Sequence, residues 1–153
     1  MTKQQAFQRI TQETIEEHRQ INFYLDQITL TLDALDVASA DVEPMRRLAA
    51  QIEGLKERLV EHHLSEEKDG LFQAVLEAMP DCRVEISRLT KQHQRIIEIL
   101  EMARIHAQHG EPSETESLRE DLRNFLEMFR RHEYDEESLL KRALERENRA
   151  AID

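Results

Sequence analysis

The chain has 153 residues, with 32 acidic side chains against 21 lysines and arginines and a net charge of −11. A chain of this length is predicted to form one domain, residues 1–153, around a single core. The acidic balance argues against nucleic acid as a partner, because binding to phosphates depends on clustered lysine and arginine. With 3 glycines, 3 prolines, 5% aromatic and 35% charged residues, the composition is typical of a soluble helical bundle.

The N-terminal residues and the hydropathy of the chain favour a cytoplasmic protein. The first residues do not form the apolar segment and small-residue cleavage site of a secretory signal. No run of the sequence approaches the roughly 20 apolar residues that a membrane span requires. A membrane is therefore not an expected partner.

Apolar residues at steps of three and four predict two long helices in the first half of the chain. The first runs from about Lys3 to Leu35, and a polar loop from Asp36 to Glu43 follows it. Pro44 suits the first turn of the second helix, because its missing N–H would be unpaired there. That helix is predicted to stop near Met79, since Pro80 disfavours helix in the residue before it.

The same spacing predicts two more helices in the second half of the chain. The third is expected to begin after a cap at Asp81 and to end at Gly110, a left-handed C-terminal residue. The fourth begins at the capping box Ser113–Glu116. Short connections between long helices predict an all-α fold, an antiparallel four-helix bundle of up-down-up-down topology.

Six ionisable side chains interrupt the apolar stripes of these four helices. They are His18 in the first, His63 and Glu67 in the second, His93 in the third, and His132 and Glu136 in the fourth. Buried ionisable groups are costly unless they are paired or bind a metal. A histidine and the glutamate four residues later differ by about 40° around a helix, so both can reach one metal cluster. The pattern therefore predicts a buried metal site.

The ligand set favours iron, manganese or zinc, because imidazole and carboxylate are hard-to-borderline ligands. Four histidines and two glutamates are best shared between two ions. If both carboxylates bridge, each ion receives two nitrogens and two carboxylate oxygens, and a bridging oxide or hydroxide makes five ligands. An octahedral ion then keeps one open position for a small molecule.

The second helix offers a competing pair, His62 and Glu66, which the helical register can be used to judge. The apolar direction drifts from near 0° in the first half of this helix towards roughly 60–160° from Leu71 onwards, at about 100° per residue. His63 and Glu67 lie within these limits at about 40° and 80°, whereas His62 and Glu66 lie at about −60° and −20°. The register favours His63 and Glu67.

These residues resemble the haemerythrin-like, or HHE cation-binding, family over nearly the whole chain. The matching segments are Glu17–Ile21, His63–Glu67 with Leu71 and Phe72, Lys91–His93, and His132–Glu137. The resemblance implies that the four histidines of the predicted site are terminal iron ligands and that its two glutamates are bridging carboxylates. It also implies a cofactor of two iron ions with a bridging oxo or hydroxo group.

One position departs from the oxygen carriers of this family. The carriers have a second histidine four residues after that of the third helix, and this chain has Ile97 there. The extra ligand saturates one iron in the carrier, so its absence implies that both ions are open here. The resemblance therefore favours a protein that binds or reduces a small oxidant, O2, NO or a peroxide, at open iron positions.

The alternatives are a binding or storage module, a metal-free scaffold and a ferritin-like protein. A non-catalytic O2 or NO sensor, or an iron storage or donor module, has the same ligands, so turnover is left open, as are a protein partner and a homodimer. A metal-free scaffold would need six buried polar groups to satisfy one another. The ferritin-like class is disfavoured, because no histidine has a glutamate three residues before it. The side chains predicted to lie outside the site are those of Tyr24, His106, His109 and Tyr134. The acidic runs Glu66–Glu67 and Glu133–Glu137 are predicted to be solvated, except for Glu67 and Glu136.

Overall fold

The computed structural model describes residues 1–35, 42–68 and 70–152. Within these ranges the chain is helical and contains no strand, which confirms the predicted all-α class. The helices are α1 (Lys3–Ala34), α2 (Val42–Lys68), α3 (Leu71–Ala78), α4 (Arg83–His109) and α5 (Thr115–Ile152), with 3-10 turns at Pro80–Cys82 and Pro112–Glu114. Most of the loop predicted between the first two helices lies outside the described residues. None of the described helices is long and apolar enough to cross a membrane.

Two helix ends carry clear local signals. At the start of α1, the Thr2 hydroxyl accepts a hydrogen bond from the Gln5 amide at 3.1 Å, and the Gln5 side chain accepts one from the Thr2 amide at 2.9 Å. This reciprocal capping box satisfies two amides that have no partner inside the helix. At the end of α4, Gly110 has φ 64°, the left-handed conformation predicted for it.

Two predicted helix starts differ from the structure. Asp81 does not cap α4, because it lies inside a 3-10 turn and its carboxylate accepts a hydrogen bond from Arg146 at 2.7 Å. Cys82 occupies the cap position of α4 without a side-chain hydrogen bond. The last helix begins at Thr115 rather than at Ser113, because a 3-10 turn occupies the intervening residues.

The second predicted helix is two helices in the structure. Gly70 lies directly before α3 and has φ 112°. Residues other than glycine rarely adopt this left-handed conformation. The prediction of one continuous helix to Met79 was therefore wrong. The buried face of α3 therefore does not indicate which face of α2 is buried.

The buried apolar residues form two separate cores. The large core contains buried residues from four ranges, 21–35 in α1 and the residue after it, 45–59 in α2, 96–107 in α4 and 118–129 in α5. The small core takes Phe7 and residues from the ranges 71–82, 86–89 and 139–143. The four long helices pack in a ring, α1 on α2, α2 on α4, α4 on α5 and α5 on α1. Each long helix therefore has two long neighbours.

Leu55→Ala should lower the free energy of unfolding of the metal-free protein by about 2–5 kcal/mol, because it leaves a cavity in the large core. Leu55 is 0% exposed, whereas Leu30 is 64% exposed. Leu30→Ala is the matched control and should change the same free energy by no more than about 0.5 kcal/mol. Urea unfolding followed by circular dichroism measures both, and equal losses in the two variants would contradict the placement of the core.

Candidate metal centre

Seven ionisable side chains form a buried layer between the large core and the small core. They are His18, His62, His63, Glu66, His93, His132 and Glu136, and none is more than 6% exposed. In α1, α4 and α5 the layer separates residues of the two cores; in α4, for example, His93 lies between Leu89 of the small core and Ile96 of the large core. Apolar packing on both sides keeps bulk water from this layer.

Four of these side chains form a first cluster. The Nε2 atoms of His18 and His62 lie 3.1 Å apart. His18 Nε2 is 3.0 Å from Glu136 Oε1, and His62 Nε2 is 2.6 Å from Glu66 Oε1. The potential ligand atoms of these four residues all lie within 4.8 Å of one another, so they could hold one ion.

The remaining three histidines form a second cluster. The rings of His63 and His93 are stacked, with centroids 3.8 Å apart and planes 4° from parallel. The His132 ring lies edge-on to His93 at a centroid distance of 4.9 Å. Their potential ligand atoms also lie within 4.8 Å of one another. The layer therefore contains two adjacent groups that could each hold a metal.

The Glu136 carboxylate lies between the two clusters. Its Oε1 is 3.0 Å from His18 Nε2 in the first cluster, and its Oε2 is 3.3 Å from His132 Nε2 in the second. Glu66 Oε1 is likewise close to His62, and it lies 3.9 Å from His93 Nε2. A carboxylate that presents one oxygen to each cluster can bridge two ions.

Hydrogen bonds on the outer ring nitrogen orient three of the histidines. Nδ1 of His18 lies 2.9 Å from a Glu137 oxygen, and Nδ1 of His62 lies 2.5 Å from a Glu17 oxygen. Because a carboxylate only accepts hydrogen bonds, Nδ1 donates in both pairs and Nε2 is the nitrogen that faces the layer. Nδ1 of His132 makes the same kind of contact with the Gln92 side-chain oxygen at 2.7 Å. Metal-ligating histidines in proteins are held in this way.

Several buried atoms of the layer have no hydrogen-bond partner. Both ring nitrogens of His63 and of His93, and Oε2 of Glu66, are fully buried and unsatisfied. Buried polar side chains are nearly always hydrogen-bonded, so a group of unsatisfied nitrogens and carboxylate oxygens calls for an explanation. A bound cation supplies one, because the same lone pairs that lack a proton donor would be its ligands. The residues of the layer fit a metal.

Comparison with known protein families agrees with this geometry. The family model of the haemerythrin HHE cation binding domain matches residues 9–144, a range that includes the whole buried layer. The chain belongs to this family. No curated protein and no solved structure gives a match.

The structure brings together five of the six side chains for which the sequence predicts a ligand role in this haemerythrin domain. They are His18, His63, His93, His132 and Glu136. The sixth, Glu67, has a side chain that is 31% exposed, and its Oε2 lies 3.6 Å from Nδ1 of His93, outside both clusters. His62 and Glu66, which the register disfavours, are buried in the first cluster. The ligand role of every one of these residues stays a prediction.

The break at Gly70 explains why Glu66 is buried instead of Glu67. The predicted drift of the apolar direction depended on residues 71–75, which belong to α3 and not to α2. Within α2 the buried direction stays near that of Leu59, from which Glu66 deviates by about 20° and Glu67 by about 80°. His62 and His63 lie on either side of this direction, so both are buried.

One further carboxylate was wrongly predicted to be solvated. Glu133 is 8% exposed, and the Asn22 side-chain amide donates a hydrogen bond to its Oε2 at 3.0 Å. Burial raises the pKa of Glu133. The four side chains predicted to lie outside the site do so. Tyr24 and Tyr134 are 37% and 72% exposed, His109 contacts the Ile105 backbone oxygen, and His106 binds Glu114 at 2.7 Å.

Burial and neighbouring charges push the pKa values of the layer apart. Burial, together with the nearby imidazoles of which His93 has the largest effect, lowers the pKa of His63 to about 2. Burial also lowers the pKa of His18, but hydrogen bonds to Glu136 and Glu137 outweigh it and raise the value to about 9. Burial raises the pKa of Glu66, and the charge of Glu136 adds to the effect. At neutral pH the metal-free layer therefore combines a neutral His63 with a protonated His18.

Glu66→Gln and Glu67→Gln form a matched pair that tests which carboxylate binds metal. Glu66→Gln should reduce the iron content below that of the parent protein, because a neutral amide is a weaker metal ligand than a carboxylate. Glu67→Gln, at the edge of the layer, should retain the iron of the parent protein. Iron analysis after anaerobic loading measures both variants, with circular dichroism as a control for folding. Loss of iron from Glu67→Gln alone would support the register argument instead.

Metal binding should release protons at neutral pH, because an ion on His18 Nε2 has to displace the proton that this ring holds below pH 9. The apparent affinity for Fe(II) should rise by up to about tenfold per pH unit and level off near pH 9. Competition with a chelator under anaerobic conditions gives the affinity at each pH. His106→Ala should leave the profile unchanged, and an affinity that is flat between pH 6 and 8.5 would contradict the protonation of His18.

Proposed function

We propose that this chain is a non-haem di-iron protein of the haemerythrin family that binds or reduces a small oxidant, O2, NO or a peroxide, at an open iron position. The single observation that carries this proposal is the Glu136 carboxylate, whose two oxygens face different clusters at 3.0 and 3.3 Å. An ion bound in one cluster alone would contact only one of these two oxygens. Two ions that share it would be held side by side.

The two clusters supply unequal numbers of imidazoles to the proposed ions. His18 and His62 would hold the first ion, and the three histidines of the second cluster would hold the second, with Glu66 and Glu136 as bridges. Together with a bridging oxo or hydroxo group, the first ion would have five ligands and the second six. The open position of an octahedral pair would then belong to the first ion.

His63 supports a second candidate function, reversible binding of O2 or NO without turnover. Ile97 of α4 stands where the oxygen carriers of the family have a second histidine. The absence of that histidine argues against reversible carriage of O2. His63 reaches the second cluster from α2 and restores five histidines to the layer. An ion whose coordination positions are all filled by the protein would favour a centre that binds O2 or NO reversibly, without turnover.

The chain's own residues would hold the ions, orient the ligands and exclude water. When bound, iron would supply the Lewis acid and the electrons for the oxidant. Glu17, Glu137 and Gln92 fix the imidazoles with Nε2 towards the layer. The large and small cores seal the layer on both sides, so a small uncharged oxidant would reach it more easily than a bulky reductant.

We also propose that residues 1–153 form one domain of up-down-up-down topology. The order of cores along the chain supports it, because α1 and α4 pass from the small core to the large core, while α5 and the segment formed by α2 and α3 pass in the opposite sense. Hydrogen bonds agree: Gln4 near the start of α1 contacts Asn148 near the end of α5, and Arg119 near the start of α5 contacts Leu35.

The proposed function predicts two irons per chain and a change in absorption when the reduced protein meets its ligand. Protein loaded with Fe(II) would be mixed anaerobically with O2, NO or peroxide in separate experiments and followed by stopped-flow absorption. Consumption of many equivalents of oxidant in the presence of a reductant would identify an enzyme. A spectrum that reverses when the ligand is removed would identify a binding protein.

His63→Ala and His106→Ala provide the matched control for this experiment. His63→Ala should lose iron and melt at a lower temperature than the parent in the loaded form, because it removes a ligand of the second ion. His106→Ala, at a histidine outside the layer, should keep both irons. Iron-free protein from iron-rich growth, together with unchanged melting of His63→Ala, would contradict both candidate functions.

A further inference from the structure

The groups that accept hydrogen bonds from the outer ring nitrogens differ in charge between the two clusters. Both histidines of the first cluster donate from Nδ1 to a carboxylate, His18 to Glu137 at 2.9 Å and His62 to Glu17 at 2.5 Å. In the second cluster His132 donates to the neutral amide of Gln92 at 2.7 Å. The first cluster is thus surrounded by two anionic acceptors, and the second has one neutral acceptor.

The other histidines of the second cluster do not remove this difference. His63 has no hydrogen-bond partner on either ring nitrogen. The carboxylate nearest to Nδ1 of His93 is Glu67 Oε2, at 3.6 Å, which is beyond hydrogen-bond distance. Glu67 therefore contributes charge at a distance, whereas Glu17 and Glu137 each accept a hydrogen bond directly from a ring Nδ1–H.

A hydrogen bond from Nδ1 to a carboxylate makes the imidazole a stronger electron donor through Nε2. Hydrogen bonds to charged acceptors are about twice as strong as those to neutral ones. A more electron-rich ligand set stabilises the ferric state over the ferrous state and lowers the reduction potential of its ion. The effect acts on each ion separately, because each outer partner contacts the ligand of one cluster.

We propose that the two iron positions are redox-inequivalent, and that the ion held by His18 and His62 is oxidised first because Glu17 and Glu137 are the outer partners of its ligands. This inference rests on the proposed di-iron function. A one-electron oxidant such as ferricyanide would accept one electron from the iron that His18 and His62 would hold and would become ferrocyanide. The iron that the second cluster would hold would stay ferrous. Glu17, Glu137 and Gln92 are positioning residues that tune the ions through the histidines.

The position that is oxidised first is also the one with the smaller number of histidines. The first cluster offers two imidazoles and the second offers three. An oxidant that enters the open position of the first ion would therefore meet the more easily oxidised ion directly. The open position and the outer carboxylates Glu17 and Glu137 therefore lie on the same half of the layer.

The test is a redox titration of the iron-loaded protein with one-electron mediators, followed by electron paramagnetic resonance of the mixed-valent form. Two separate one-electron steps are expected in the parent. Glu17→Gln and Glu137→Gln preserve an acceptor for Nδ1 but remove its charge, so each should raise the potential of the first step. The expected change is about tenfold in the equilibrium constant, or about 59 mV for one electron.

Gln92→Glu is the reciprocal variant and should lower the potential of the second step, bringing the two steps together. Iron content and helicity are measured first in each variant, so that only proteins with two irons are titrated. Fewer than two irons in the parent would contradict the proposed function itself. Two irons that are oxidised in one step, or a first potential unchanged in both glutamine variants, would overturn the redox inference alone. A first step that responds to Gln92→Glu and not to Glu17→Gln would reverse the assignment and overturn it as well.

Discussion

The removal of seven ionisable side chains from water is the constraint on which this structure depends. Burial of a charged group costs several kcal/mol unless a partner of opposite charge and hydrogen bonds offset it. In the metal-free layer the offset is incomplete, because His63 and His93 have no hydrogen-bond partner. Cations bound by the clusters would give these unsatisfied nitrogens a partner. Metal binding and folding of the layer are then coupled, since the ligands are assembled only in the folded chain.

The two hydrophobic cores provide the stability that the layer itself lacks. Hydrogen bonds at both ends of the bundle then fix the helices along their axes. At one end Arg119 donates to the backbone oxygen of Leu35 at 2.6 Å, and at the other Gln4 donates to Asn148 at 2.6 Å. Because α1 and α5 are tied at both ends, neither can slide by a residue without breaking these bonds. The positions of His18 and Glu136 are thereby set by contacts that are more than ten residues away from them.

Helical periodicity was enough to predict the helices and most of the buried layer. Apolar steps of three and four placed α1 to within one residue at its C-terminal end, and five of the six predicted side chains lie in the layer. Glu66 was missed because a single left-handed glycine, Gly70, separates two segments whose apolar residues read as one stripe. Glu133 and Asp81 were misjudged because their partners, Asn22 and Arg146, come from other helices. Periodicity describes one helix at a time and contains no information on such partners.

The adjacent pair His62 and His63 is more informative than the spacing of histidine and glutamate that first indicates a metal. Neighbouring residues on a helix differ by about 100°, so two consecutive histidines can both be buried only if the interior direction lies between them. In α2 it does, and each histidine joins a different cluster. One helix would thus supply a ligand to each proposed ion, and His63 would take the role that α4 does not fill at Ile97. Because both histidines depend on the same helical phase, a shift of α2 by one residue would remove ligands from both ions at once. The proposed two-metal centre would therefore depend on a fixed register of α2.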